Sequence, residues 1–328
     1  MGNYILPCEL VKTPMTGGSP SSRPTLPPGV REGHGFSPSL LDGKVALITG
    51  GGSGLGRSMA HRFSALGARI VMGGRREEIL RGTSQELQSL GGEVAYQTTD
   101  VRDAAQADAL VQLAYERFGQ LDILVNNAAG NFLARSEKLS AHAFDSVVRT
   151  VLHGTFHMTR SAAERWISRE RPGVVLNIST PYAWTGAAHV VPSAAAKAGV
   201  LALTRSLAVE WARYRIRLNA LAPGPIPTEG AWERLVPSED VARTLEENVP
   251  MGRFGTHREL CDLATFLVSD ASSYVTGQVI TMDGGEWLVG SGFQLLRRVP
   301  PTFWESLEEA HRRSRRTGAT DPSRDPRD

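Results

Sequence analysis

The sequence is poor in several things that would classify it by composition alone. Only two of its 328 residues are cysteine, Cys8 and Cys261. That excludes a disulfide framework and a zinc site built mainly of thiolates, and a reducing interior is the natural setting. No metal ligand set is nominated. An excess of charge is lacking too. Lys and Arg number 36 against 34 Asp and Glu, a formal balance of +2, so nucleic acid is not expected as the main partner. No apolar run approaches the ~20 residues that cross a bilayer. The N-terminus has no charged start leading into an apolar core, so a secretory signal is not expected, and its few arginines make a mitochondrial presequence weak. These absences describe a soluble intracellular chain, cytoplasmic in a bacterium, with the mitochondrion as an alternative compartment in a eukaryote.

What is present is organised as short apolar runs alternating with amphipathic stretches. Residues 1–38 come first and differ from the rest: Pro14, Pro20, Pro24, Pro27, Pro28 and Pro38 lie among many Gly and Ser with no periodicity, which reads as a flexible leader. Lys44–Ile48 then reads as a buried strand. It runs directly into Thr49-Gly50-Gly51-Gly52-Ser53-Gly54-Leu55-Gly56, behind which Leu55, Met59, Phe63 and Leu66 recur at helical spacing. Strand, glycine turn and helix is the order a dinucleotide pyrophosphate needs. The glycines admit the phosphates, and the helix start offers unpaired N–H groups and partial positive charge. Thr49, Gly50, Gly52, Ser53, Gly54, Leu55 and Gly56 are therefore candidate cofactor-binding residues. A second strand, Arg69–Met72, ends in Gly73-Gly74-Arg75-Arg76. An NAD-preferring site places a carboxylate about 20 residues beyond the glycines. Gly74 and Arg75 stand there instead, and guanidinium suits the 2′-phosphate of NADPH.

The alternation continues to the end of the core, and residues 39–295 read as one Rossmann-type, doubly wound α/β domain with a parallel sheet. Each strand end carries polar residues. Val94–Gln97 leads to Thr99-Asp100-Val101, and Leu121–Val125 leads to Asn126-Asn127-Ala128-Ala129-Gly130-Asn131-Phe132. A helix follows on which Phe144, Val147, Val148, Val151, Leu152 and Phe156 are expected to face inward. Val174–Ile178 delivers Thr180 and Tyr182 on a loop, and a helix starts at Ser193 and runs to about Tyr214. Ile216–Leu221 ends in Pro223-Gly224-Pro225-Ile226. Residues 229–255 are poor in apolar periodicity and suit a lid over a substrate. A helical extension over 296–316 and a polar, disordered tail over 317–328 complete the chain.

The chemistry concentrates between Asn177 and Val200. Ser193 and Lys197 are four apart and share a helix face. Tyr182 sits at a strand exit, where α/β sheets present their chemistry. A cation beside a phenol favours the phenolate and makes the phenol a usable proton donor.

The Thr-Gly-x-x-x-Gly-x-Gly run and Asn126-Asn127-Ala128-Ala129-Gly130 resemble the short-chain dehydrogenase/reductase family, and from about Phe36 to Arg316 the chain is similar to its 2,4-dienoyl-CoA reductases of mitochondrial type. The family's usual tyrosine, four residues before the lysine, is replaced by Ser193. The dienoyl-CoA reductases share that departure, with their tyrosine fifteen residues before the lysine, as Tyr182 stands to Lys197. Asn131, Val191-Pro192-Ser193, Pro223-Gly224-Pro225-Ile226 and Asp283-Gly284-Gly285-Glu286 also match, as does the stretch Phe293–Arg313. The resemblance implies NADPH as cofactor and an acyl-CoA thioester as substrate. It implies Tyr182, Lys197, Asn131 and Ser193 in catalysis, with Thr180 supporting, and Asn131, Phe132, Tyr182 and Ser193 against the substrate. Asp100, Val101, Asn127, Ala128, Lys197, Pro223, Gly224 and Ile226 would line the cofactor. His153 occupies a place where many relatives have an Asn serving a proton relay. A homotetramer is the expected assembly. The implied activity is NADPH-dependent reduction of 2,4-dienoyl-CoA to 3-enoyl-CoA in the β-oxidation of unsaturated fatty acids. The alternatives are another enoyl- or 3-oxoacyl-thioester reductase on the same scaffold, and a non-catalytic NADPH-binding protein.

Overall fold

Short Val-, Ile- and Leu-rich runs with no polar alternation are what strands buried on both faces require. A computed structural model describes residues 36–228, 232, 235, 236, 238–290, 296 and 299–316. Residues 38–328 fall in one unit. Its strands are β1 (Val45–Thr49), β2 (Arg69–Gly74), β3 (Val94–Thr98), β4 (Ile123–Asn126), β5 (Gly173–Ile178), β6 (Ile216–Pro223) and β7 (Val279–Met282). All pair in parallel in the order β3-β2-β1-β4-β5-β6-β7. The order reverses between β1 and β4, so a crevice opens at the C-terminal ends of those two strands.

The helices are α1 (Gly54–Ala65), α2 (Glu77–Ser89), α3 (Ala104–Phe118), α4 (Ala141–Val148), α5 (Gly154–Ser168), the single turn α6 (Tyr182–Thr185) and α7 (Val191–Trp211). Further helices cover Glu239–Asn248, His257–Val268 and Pro301–Arg316. No helix among the described residues is long and apolar enough to cross a membrane. The expected leader and tail lie outside the described residues apart from residues 36–38, as do residues 229–231, 233, 234 and 237 of the expected lid. The described remainder of that lid stretch is mainly the helix Glu239–Asn248, none of whose residues is buried.

One face of the sheet packs Leu47, Val71 and Leu124 against Leu110, Met158 and Trp166. Trp166 is fully buried, and its indole N–H donates to the Leu121 carbonyl at 2.7 Å. Beneath the crevice lies a polar exception to this apolar core. Asn126 and Asn177 are register partners on β4 and β5. Asn126 Nδ2 donates to Asn177 Oδ1 at 2.9 Å and to Thr159 Oγ1 on α5 at 2.8 Å, and Asn177 Nδ2 donates to Thr204 Oγ1 on α7 at 2.9 Å. Paired amides buried this way hold two helices to two adjacent strands, because breaking any link strands a dry polar group.

Several boundaries differ from the sequence expectation by a few residues. β4 begins at Ile123 rather than Leu121, and α7 begins at Val191 rather than Ser193, with Pro192 in its first turn. That proline placement suits a helix start, where its missing N–H has no partner to lose. The expected inward Phe156 is a correction: it is 41% exposed, while Val147 and Val151 are buried. The cause is a π turn over Arg149–His153 between α4 and α5. A π turn slips the helical phase, so a stripe counted at α spacing drifts off the core. Tyr182 also starts a one-turn helix rather than lying in open loop.

Gly56 shows why the glycine run is needed at the crevice. A Cβ there would stand 2.3 Å from the Gly50 carbonyl oxygen and 2.6 Å from Asn127 Nδ2. Gly56→Ala must push α1 away from β1. It is expected to lose roughly 1–3 kcal/mol by overpacking, read as a lower urea midpoint and weaker cofactor binding, and a variant matching the parent in both would show that this approach is not tight.

Candidate active site

Every expected site residue from Thr49 to Ile226 lies on a strand exit, on the helix following one, or on α7. On the cofactor side, Asn127 knits the glycine turn to the end of β4. Its Nδ2 donates to the Thr49 carbonyl at 3.0 Å, and the backbone N–H groups of Asn127 and Ala128 both donate to Thr49 Oγ1 at 3.0 Å. α1 then starts with no side chain capping it, since Ser53 makes no capping bond. Its first N–H groups are left for an anion, which is what a pyrophosphate supplies. At the end of β2, Arg75 is exposed. A Cβ on Gly74 would meet nothing closer than Leu80 at 3.6 Å, so the position an NAD-type acid would take is open. These features fit a dinucleotide carrying a 2′-phosphate.

Asp100 is less free than its sequence suggested. Arg102 grips its carboxylate through Nε at 2.8 and 2.9 Å, and that contact holds the Asp100 carboxyl below the usual carboxylate range against the opposing effect of burial. An adenine contact there would share the carboxylate with Arg102, a partner only two residues away that the sequence reading missed. Val101 and Ile226 are buried. The Val101 carbonyl is bonded by His157 Nδ1 at 3.1 Å.

On the reaction side the orientation of one amide can be read from its neighbours. Asn131 Oδ1 accepts the Phe132 N–H at 2.9 Å, so its Nδ2 is the end that donates to Tyr182 Oη at 3.3 Å. Tyr182 Oη also lies 3.1 Å from Ser193 Oγ. If Ser193 donates, both lone-pair directions of the phenol oxygen are filled and its hydrogen is free for a ligand acceptor. Phe132 packs against the apolar cluster of Val147, Val151, Ala196 and Val200, which holds this chain of bonds from behind. The structure thus brings Asn131, Tyr182 and Ser193 together.

Lys197 follows one turn after Ser193 and is buried. Its ammonium donates to the Ile178 carbonyl rather than to the phenol, the single hydrogen bond it makes among the described residues. That acceptor is at the end of β5, so any influence of Lys197 on the phenol acts through space rather than through a hydrogen bond. Three donors meeting one acceptor in a dry place disfavour the charged form, and burial lowers the lysine pKa to about 8. The two remaining donors suit ribose hydroxyls. His153 is exposed on the π turn, with its ring 6.3 Å from that of His157, and it makes no direct hydrogen bond to Tyr182, Ser193 or Lys197. A sequence scan also overlooked Ser179, whose hydroxyl is buried with no partner at the β5 exit. Its only signal was adjacency to Thr180.

Comparison with known proteins identifies the family. A family model described as enoyl-(acyl carrier protein) reductase matches residues 50–286. A Bacillus subtilis protein named probable 2,4-dienoyl-CoA reductase [(2E)-enoyl-CoA-producing] is 47% identical over 249 residues, covering 76% of this chain and 98% of that one. The chain belongs to the short-chain dehydrogenase/reductase family. A second short-chain reductase relative, the peroxisomal 2,4-dienoyl-CoA reductase [(3E)-enoyl-CoA-producing] of Arabidopsis thaliana, is 39% identical over 262 residues, 77% of this chain and 87% of its own. Among solved structures, a short chain dehydrogenase from Bacillus anthracis superposes with a TM-score of 0.69 at 42% identity, covering 74% of this chain and 96% of that one. A gluconate 5-dehydrogenase from Burkholderia cenocepacia, in complex with NADP and tartrate, has a TM-score of 0.72 at 34% identity, covering 76% and 97%. The family and the parallel Rossmann-type sheet are as the sequence led one to expect.

The buried lysine gives a pH signature. Below pH 8 the folded and unfolded chains both carry the Lys197 proton, and the cost of burying the charge is fully present. Between about pH 8 and 10.5 the folded chain has released the proton and the unfolded chain has not, so this group makes stability rise with pH. Relative to Lys197→Met, the cofactor-free parent is expected to gain up to about 3 kcal/mol across that window. A stability difference between the two proteins that stays flat from pH 7 to 10.5 in chemical denaturation would contradict the burial.

Proposed function

We propose that the protein reduces 2,4-dienoyl-CoA thioesters to 3-enoyl-CoA with NADPH, a step in the oxidation of unsaturated acyl chains. One observation carries the reading: Tyr182 Oη sits between Asn131 Nδ2 and Ser193 Oγ, delivered by a turn of its own, while Ser193 holds the place of the tyrosine usual in the family. NADPH, when bound, supplies a hydride to the δ carbon of the diene. The residues of this chain must then meet the electrons displaced toward the thioester. The charge gathers on the thioester oxygen as a dienolate, and Asn131 and Tyr182 offer it two donors. Tyr182 gives its proton to the α carbon, leaving the double bond between the third and fourth carbons. The α carbon is one bond from the carbon bearing the oxygen, and the γ carbon is three, so a phenol held at the oxygen reaches the α position more readily. Ser193 orients the phenol, and Lys197 holds the ribose with the donors that Ile178 leaves over. Arg75 takes the 2′-phosphate.

A second reading has a specific basis, since the 47% identical Bacillus subtilis relative is named as (2E)-enoyl-CoA-producing. In that reading the proton goes to the γ carbon. Identifying the product of hexadienoyl-CoA reduction by chromatography decides between them. We also propose self-association, favoured by Phe156 and Val209, which are 41% and 82% exposed on α5 and α7.

Tyr182→Phe is expected to lower kcat by at least a hundredfold, in line with removal of a general acid, while NADPH still binds. Normal turnover in that variant would remove Tyr182 from the role of acid. Arg75→Ala should raise the KM for NADPH roughly tenfold and leave that for NADH unchanged, as loss of a charge-assisted phosphate contact predicts; equal changes for both cofactors would refute the phosphate assignment.

A further inference from the structure

The turn after β7 holds an acid for which the chemistry above has no use. Asp283 opens that turn by folding back on it. Its Oδ1 accepts the Gly285 N–H at 2.9 Å and its Oδ2 accepts the Trp287 N–H at 2.8 Å. Both carboxylate oxygens of Asp283 are thereby used in shaping the turn. Glu286 differs. Its side chain is half-buried and has no hydrogen-bond partner among the described residues. Its Oε2 lies 3.2 Å from the point a Cβ on Gly224 would occupy, against the β6 exit that lines the cofactor side.

The residue next to it ties the same turn to the opposite wall. The Trp287 ring meets Trp184 edge-on, with centroids 5.8 Å apart at 84°, and Trp184 is on the one-turn helix that begins with Tyr182. Glu286 therefore sits on a span joining the wall at Gly224 to the turn that carries the proton donor. Burial, with the Asp283 charge adding to it, pushes the Glu286 carboxyl above its usual range. A carboxylate in such surroundings gains when a ligand brings an N–H to it, because the donor replaces lost water.

We infer that Glu286 is a ligand-positioning residue whose carboxyl oxygen accepts an amide N–H of a bound ligand. The inference rests on the dienoyl-CoA reading, in which two ligands carry such a donor: the carboxamide of the nicotinamide, and the secondary amides of the pantetheine arm. The shape of the turn does not depend on this acceptor, since Asp283 already holds it.

Two titrations test the assignment without turnover. NADPH binding is followed by cofactor fluorescence, and binding of free coenzyme A to the NADPH-loaded protein is followed by calorimetry. Glu286→Leu removes the acceptor, and Glu286→Gln keeps a carbonyl oxygen in its place. The Leu variant is expected to weaken one of the two affinities about tenfold, the scale of one lost hydrogen bond, with the Gln variant staying within about threefold of the parent. A loss in the NADPH titration identifies the nicotinamide as the donor, and a loss confined to coenzyme A identifies the pantetheine. If the Leu variant keeps both affinities, or if Gln is as weak as Leu, the acceptor role is overturned. Failure of the parent to reduce any dienoyl-CoA would defeat the activity and leave both titrations readable.

Discussion

The buried amide pair of Asn126 and Asn177 is the constraint on which the site depends. These side chains cross between adjacent parallel strands and are each tied to a threonine on a different helix, α5 through Thr159 and α7 through Thr204. An apolar pair would let β4, β5 and their helices slide by fractions of an ångström at small cost. A hydrogen-bonded pair in a dry core does not, since every slip leaves a donor or acceptor unmet. β4 leads to Asn131, β5 leads to Tyr182, and α7 carries Ser193 and Lys197. Three pieces of chain that are distant in sequence are held to a common frame just beneath the atoms that must align.

A second consequence of that frame is electrostatic. Lys197 is buried beside the β5 exit with one carbonyl acceptor, so its charge is poorly satisfied in the free protein. Such a group binds hydroxyl-bearing ligands well because they complete its shell. The same burial couples the protonation of the free protein to its stability. α1 behaves in a parallel way, with an uncapped start that awaits an anion. The cofactor side is thus built largely from unfinished hydrogen bonds.

Much of this was legible in the chain because it is encoded locally. The glycine run, the Asn-Asn pair and the four-residue spacing of Ser193 and Lys197 each lie within a short stretch of chain, and the parallel sheet follows from repeated strand–helix alternation. The fifteen-residue step from Tyr182 to Lys197 was legible only through family resemblance, since no periodicity links a one-turn helix to a later one. The inward placement of Phe156 failed because a π turn, invisible to a count at α spacing, slips the phase after Val151. The bond from Lys197 to a backbone carbonyl was not legible, because that carbonyl belongs to β5, nineteen positions earlier. Arg102 was missed as the partner of Asp100, and the contact of Trp184 with Trp287 joins positions about a hundred residues apart.

Placing the phenol on a short turn of its own, with only a small hydroxyl at position 193, separates two duties that one helix face usually performs together. In the reading proposed above, α7 serves the ribose through Lys197, while the phenol comes from a turn that packs edge-on against Trp287. Changes in that turn can then alter which acyl chain is accepted without disturbing how the nucleotide is held.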